Sequence, residues 1–178
     1  GSGKKGVEEL AKQTAQLLNA REIESRVYKK QIAFNNIPQV GAFLENGYTR
    51  DEMGIVWDTQ KVLDDTSIRV NPTCVRVPVF FGHGESVGIE TQAYISADEV
   101  TDILQASEGI EVVDKGDEMD IATSVTDAAG SDAVFVSRIR EDLNGHQGIS
   151  FWITADNVRK GSALNVVQIA ELLINDYL

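Results

Sequence analysis

The chain has 178 residues, enough for one domain with a sizeable core and marginal for two. Its formal net charge of −12 disfavours nucleic acid and anionic membranes as partners, and no apolar run approaches the ~20 residues that cross a bilayer. The single cysteine, Cys74, and the two histidines are too few for an internal disulfide or a His/Cys metal cluster. We therefore expect one domain over residues 1–178 without a metal.

The first third of the chain predicts two helices around one strand. An amphipathic pattern over 6–19 indicates a helix, and residues 26–34 have the composition of a strand. Thr49 and Glu52 form a capping-box pattern that opens a second helix, which continues to residue 63 and contains Gly54. The faces expected to be buried are Val7, Leu10, Thr14, Leu17 and Leu18 in the first helix, and Met53, Val56, Trp57 and Leu63 in the second.

The middle of the chain predicts strands over 73–81 and 85–95. A capped helix follows, from Ser96 to a stop at Gly109. Residues 114–132 are acidic and contain glycine, which indicates a long loop.

Two further strands are predicted over 133–139 and 148–155, and an amphipathic helix over 162–178. The apolar face of that helix comprises Ala163, Val166, Val167, Ala170, Leu173, Ile174 and Tyr177. Strands and helices alternate irregularly, so the predicted class is α/β or α+β, a mixed sheet packed with helices.

Residues 74–91 contain the strongest candidate site. Alternation along a strand places Arg76 opposite the valine face, and Pro78 indicates an edge or a bulge because it lacks an N–H. Strict alternation would put His83 on the valine face, but Gly82 and Gly84 could supply a bulge or a turn that brings it to the side of Arg76. One interpretation is a surface ion pair and a turn cap. The other is a site in which Arg76 binds a carboxylate and His83 transfers a proton.

Four segments, "NPTCVRVPVFFGH", "QIAFNNIPQV", "GYTRDEM" and "ADNVRKGSALNVVQIAELL", resemble bacterial aspartate-semialdehyde dehydrogenases in order and spacing. The resemblance runs through nearly the whole chain and implies that residues 1–178 are the C-terminal catalytic and dimerisation domain of that family. It also implies that helix 162–178 packs on the family's nucleotide-binding domain and that the protein is cytoplasmic. It implies a mixed sheet packed with helices, as in the glyceraldehyde-3-phosphate dehydrogenase group. The family's nucleotide-binding domain and its Asn-Cys nucleophile segment have no counterpart in this sequence; "GHGESVG" has the wrong spacing for a phosphate-binding turn.

The resemblance assigns roles to four residues. Arg76 matches the arginine that binds the substrate's α-carboxylate, and His83 matches the general acid/base. Asn157 matches a position near the nicotinamide carboxamide of the cofactor. Asp51 matches a glutamate that contacts the substrate's amino group, but Asp is one methylene shorter, and an acid in a first helical turn is also common for structural reasons. Cys74 matches a non-catalytic cysteine.

Gly54 departs from the family, which places a phosphate-binding lysine there. Lys61 lies about 10 Å further along the helix and does not replace that lysine. The resemblance implies NADP-dependent reductive dephosphorylation of aspartyl phosphate to aspartate semialdehyde, in the biosynthesis of lysine, diaminopimelate, threonine and methionine. We expect the chain alone to be an inactive homodimer that does not bind NADP. The alternative is a non-catalytic dimerisation or interaction module from a degenerate paralogue, which the changes at positions 51 and 54 favour.

Overall fold

A computed structural model describes residues 2–114, 120–143 and 147–177. The chain divides into two compact units, Ser2–Pro78 and Val79–Leu178, and each is described by itself. The expectation of a single domain over 1–178 stays a prediction. The chain has the mixed sheet and packed helices that the sequence predicted, so the fold class is confirmed.

Helix α1 (Gly3–Leu18) in the first unit packs through polar as well as apolar residues. The carboxylate of Glu9 accepts hydrogen bonds from the backbone N–H groups of Arg26 at 2.8 Å, Val27 at 2.7 Å and Tyr28 at 3.2 Å. Burial raises the pKa of Glu9, but these three bonds together outweigh it and hold the pKa below its usual range. Glu9 thus anchors residues 26–28 to α1 by hydrogen bonds.

Gln13, the next polar residue on this face, is fully buried. Its side-chain oxygen accepts from the backbone N–H groups of Ile32 at 3.0 Å and Ala33 at 3.2 Å, and its amide donates to the carbonyl oxygen of Glu24 at 3.1 Å. Leu10, Ile32, Ala33 and Ile37 form the small apolar core beside it.

Two predictions for this region are wrong. Val7 and Leu18 are exposed, because the buried face of α1 runs through Gly6, Glu9, Leu10 and Gln13. Segment 26–34 forms bends and turns instead of a strand. Its backbone donors are satisfied by the side chains of α1, so no neighbouring strand is needed.

Helix α2 (Arg50–Val62) begins with the predicted capping box, in which Thr49 and Glu52 exchange side-chain and backbone hydrogen bonds. The second carboxylate oxygen of Glu52 accepts from the backbone N–H of Cys74 at 2.8 Å. The bonds from Thr49 and then Cys74 lower the pKa of Glu52. The predicted inward face is partly wrong, because Trp57 is 52% exposed and Leu63 is 60% exposed.

Segment 73–81, predicted as a strand, is extended but makes only one isolated antiparallel bridge, between Ile37 and Arg76. Pro78 cannot donate to a ladder, and a bend is centred on it. Cys74 in this segment is partly buried.

The second unit is a four-stranded sheet in the order β1-β4-β3-β2. The strands are β1 (His83–Glu90), β2 (Ile110–Val112), β3 (Val134–Glu141) and β4 (Gly148–Ala155). Strands β1 and β3 pair antiparallel with β4, and β2 pairs parallel with β3.

One sheet face packs against α3 (Ala97–Gln105), which has the capping box predicted at Ser96 and Glu99. The buried core of this unit consists of Val100, Val136, Ile139 and Ile149. Strand β2 was not predicted, and the predicted strand 85–95 begins two residues earlier and ends at Glu90.

The acidic segment predicted as a long loop contains a π-helical turn, Ser124–Ala128. Its residues 115–119 lie outside the described residues. A second π-helical turn, Arg159–Ala163, leads into α4 (Leu164–Tyr177). All apolar residues of the predicted α4 face are exposed in this unit, for example Val166 at 68% and Ile174 at 61%.

Candidate functional site

His83 is the first residue of β1, and its backbone is fixed on both sides. The register pairs it with Ala155 at the end of β4, and Thr154 Oγ1 donates to the carbonyl oxygen of His83 at 2.6 Å. The pairing of β1 with β4 is regular along its whole length. The predicted bulge is therefore absent at Gly84, whereas Gly82, just before the strand, has a positive φ of +70°.

The two glycines that flank His83 are each required for a different steric reason. A Cβ on Gly82 would lie 2.8 Å from the carbonyl oxygen of Ser124, and its positive φ disfavours any side chain. A Cβ on Gly84 would overlap the indole of Trp152, with only 2.7 Å to Cη2. The indole is itself held by a hydrogen bond from Nε1 to the carbonyl oxygen of Ala122 at 3.0 Å. His83 thus stands on a closely packed strand end.

We predict that Gly84→Ala destabilises the protein by about 1–3 kcal/mol, because the methyl group must displace the Trp152 ring. The matched control is Gly88→Ala on the same face of β1, where a Cβ meets only Ser150 Oγ at 3.8 Å. Chemical denaturation of both variants measures the difference. Equal unfolding free energies for the two variants would contradict the packing argument.

The imidazole of His83 has two different environments. Nε2 lies 3.1 Å from Oε1 of Glu85 and belongs to a side chain that is 37% exposed. Nδ1 is buried and has no hydrogen-bond partner among residues 2–114, 120–143 and 147–177. The hydrogen bond from His83 lowers the pKa of Glu85 and outweighs its partial burial. Glu85 is a contact that the sequence reasoning missed, although its i, i+2 spacing on a strand could have indicated it.

Arg76 is held by its backbone, while its guanidinium has no partner among the residues that the structure describes. Its N–H donates to the carbonyl oxygen of Ile37 at 2.8 Å, and its own carbonyl oxygen accepts from Ile37 N–H at 2.9 Å. The side chain is partly buried, and none of the residues that the structure describes pairs with the guanidinium. A positioned and unpaired guanidinium is suited to binding a carboxylate in bidentate fashion.

Asp51 is exposed in the first turn of α2, next to Glu52. Its carboxylate packs against Gly41, so a Cβ on that glycine would overlap the carboxylate. The bond from Cys74 N–H to Glu52 ties this turn to the segment that carries Arg76. The first unit therefore links the backbone elements of two of the predicted substrate-binding residues.

Asn157 lies in the turn that follows β4, two residues after Ala155. Because Ala155 pairs with His83, the structure brings these two predicted residues to one end of the sheet. The turn is fixed by Asp156, whose carboxylate accepts from the backbone N–H of Gly130 at 2.9 Å and of Val158 at 2.9 Å. These bonds, led by that from Gly130, lower the pKa of Asp156. The side chain of Asn157 makes no hydrogen bond to any described residue.

Within the described ranges, no group of three or more His, Cys, Asp or Glu residues could hold a metal ion. No helix there combines the length and the apolar character needed to cross a bilayer.

Known proteins match this chain over nearly its whole length. The family model described as "Semialdehyde dehydrogenase, dimerisation domain" matches residues 1–160. Aspartate-semialdehyde dehydrogenase 2 of Vibrio cholerae serotype O1 is 55% identical over 177 residues, covering 99% of this chain and 52% of the relative. Aspartate-semialdehyde dehydrogenase of Legionella pneumophila is 47% identical over 178 residues, which are 51% of its length.

A crystal structure of aspartate semialdehyde dehydrogenase II from Vibrio cholerae, described as complexed with ASA, superposes with a TM-score of 0.93 at 54% identity. The match covers 98% of this chain and 51% of that structure. The chain thus spans about half the length of the relatives it matches, and it corresponds to their C-terminal part.

Proposed function

Because the chain belongs to the semialdehyde dehydrogenase family and matches its dimerisation domain, we propose that it works as the catalytic and dimerisation part of an aspartate-semialdehyde dehydrogenase. The proposed reaction is NADP-dependent reductive dephosphorylation of aspartyl phosphate to aspartate semialdehyde. It would serve amino-acid biosynthesis in the cytoplasm. The proposed assembly is a homodimer.

The roles proposed for individual residues follow from their chemistry. Arg76 binds the α-carboxylate of the substrate, His83 transfers protons, and Asp51 contacts the substrate's amino group. Asn157 contacts the nicotinamide carboxamide of NADP when the cofactor is bound. The unpaired guanidinium of Arg76 is the observation that carries this proposal, because a partly buried charge without a partner is costly unless a ligand supplies one.

The direct test is a chimera in which this chain replaces the matching half of the Vibrio cholerae relative. We expect phosphate-dependent reduction of NADP with aspartate semialdehyde as substrate. The unmodified relative and the 178-residue chain alone are assayed beside it, and we expect the chain alone to be inactive. A chimera that folds and dimerises but shows no turnover would contradict the catalytic proposal.

That outcome would favour the second candidate function, a non-catalytic dimerisation module. The specific observation in its favour is at α2, where Asp51 and Gly54 stand in place of the glutamate and lysine that the family resemblance implies. Its expected behaviour is assembly with a second copy and no dependence of any activity on Arg76 or His83.

Gly54 gives a prediction of its own. A Cβ built on Gly54 meets nothing within 4 Å, so a side chain can leave the helix there without a clash at its first carbon. In the chimera, Gly54→Lys is expected to lower the KM for phosphate by about 10- to 150-fold, the equivalent of one charge-assisted hydrogen bond. It should also stabilise α2 by up to about 1 kcal/mol, because glycine is a poor helix former.

The control for Gly54→Lys is Ile55→Lys, which adds the same charge about 100° further round the helix. Ile55 is 44% exposed, so the substitution is tolerated. Steady-state kinetics with phosphate and semialdehyde varied separately measure both variants. If the two lysines lower the phosphate KM equally, the effect is general electrostatics and the proposed phosphate contact at position 54 is wrong.

A further inference from the structure

Glu85 stands on the same face of β1 as His83, because side chains two residues apart on a strand point in one direction. Its Oε1 lies 3.1 Å from Nε2 of His83. Both side chains are accessible, at 54% for Glu85 and 37% for His83. Glu85 is not among the residues proposed to contact the substrate or the cofactor.

The contact is specific to one nitrogen of the imidazole. An ionised carboxylate only accepts hydrogen bonds, so the hydrogen in this contact belongs to Nε2 of His83. Nδ1 is buried and unpartnered among the described residues, so Nε2 is the nitrogen that a reacting group can approach. Glu85 therefore acts on the accessible nitrogen of the ring.

The strand that carries the pair is rigid at this end. Its first three residues pair in regular register with Ala155, Thr154 and Ile153 of β4. Thr154 Oγ1 anchors the carbonyl oxygen of His83 at 2.6 Å. Sites built on strands hold side-chain geometry better than sites on loops, so the separation of the two side chains is set by the sheet.

We infer that Glu85 is the positioning residue of His83. Its carboxylate orients the imidazole by holding the Nε2 hydrogen toward Oε1. The inference rests on the proposed acid/base function of His83. Its consequence is that Glu85 holds the Nε2 hydrogen until an acceptor on the reacting group, such as a thiolate or a carbonyl or phosphate oxygen, replaces the carboxylate there.

The pair can be tested on the 178-residue chain without any activity. The chain has two histidines, so the imidazole NMR signals are assigned with a His146→Gln variant. In Glu85→Thr, whose side chain is too short to reach Nε2, exchange of the Nε2 hydrogen with water should become faster. In His83→Asn, the pKa of the Glu85 carboxyl should rise, because the hydrogen bond that lowers it is lost.

The functional consequence is tested in the chimera. Glu85→Thr should lower kcat about fivefold, the size expected of a half-exposed ion pair, with KM changed less than twofold. Glu85→Gln, which keeps an acceptor, should recover most of kcat. The control is Glu90→Gln, an exposed carboxylate on the opposite face of the same strand.

A double-mutant cycle separates positioning from a merely structural effect. If Glu85 acts through His83, Glu85→Thr has no further effect on kcat in a His83→Asn background. Unchanged exchange, unchanged Glu85 titration and additive kinetic effects would overturn the inference. If the NMR pair is present but the unsubstituted chimera is inactive, the contact stands and the proposed function fails. Should Glu85→Thr not fold, Glu85→Ser repeats every comparison.

Discussion

Replacing His83 with Asn in the chimera is expected to lower kcat by about 10²- to 10⁴-fold, the usual loss when a general acid/base is removed. Asn keeps a hydrogen-bonding side chain of moderate size, and the ring of His83 is partly exposed, so the fold should be retained. The backbone bond from Thr154 to position 83 does not depend on the side chain. The measurement is steady-state kcat with all substrates saturating.

The control for His83→Asn is His146→Asn, the same change at the only other histidine of the chain. It is expected to leave kcat within about twofold, since the proposed chemistry does not involve it. Thermal unfolding of both variants confirms that the proteins are folded. If His83→Asn keeps more than about a tenth of kcat, His83 is not the acid/base.

Arg76→Gln is expected to raise the KM for aspartate semialdehyde about 10- to 150-fold, because one charge-assisted contact to the α-carboxylate is lost. Arg76→Lys keeps the charge but not the planar fork, so its KM should lie between those of the parent and Arg76→Gln. Since the backbone of Arg76 and not its guanidinium makes the bridge to Ile37, neither variant should unfold the first unit.

Two controls identify the contact at Arg76. Arg69→Gln removes an exposed arginine from the same unit and should leave KM unchanged. An aldehyde substrate without the α-carboxylate should be used equally poorly by the parent chimera and by Arg76→Gln. A KM for aspartate semialdehyde that does not respond to Arg76→Gln would refute the carboxylate assignment.

Several elements of both units could be predicted because their signals are local. The capping boxes at Thr49 and Ser96 and the alternation in β4 are short-range patterns, and the structure has each of them. The prediction of a strand over 26–34 is wrong for a non-local reason. Its composition favours a strand, but Glu9, 17 or more residues away, takes up the backbone donors that would otherwise pair.

The candidate site was only partly predictable from pattern. Arg76 and His83 could be selected by residue type and by the resemblance, whereas Glu85 needed the register of β1 and the distance to Nε2. Gly84 was predicted to matter for its flexibility. The structure shows instead that a side chain there would overlap the Trp152 ring, which lies 68 residues away in sequence. Side-chain packing between distant segments leaves no periodic signal in the chain.

The polar contacts of α1 have a consequence for how this protein can vary in evolution. Glu9 and Gln13 sit in a lysine- and glutamate-rich helix, where an aligned family would ordinarily show free exchange among polar residues. Between them they bind five backbone N–H groups, so selection should hold their identity as firmly as that of a core leucine. Val7 and Leu18 of the same helix are exposed in this unit. At these four positions the usual order is reversed, because the acidic and amide residues are constrained whereas the two exposed apolar residues can vary.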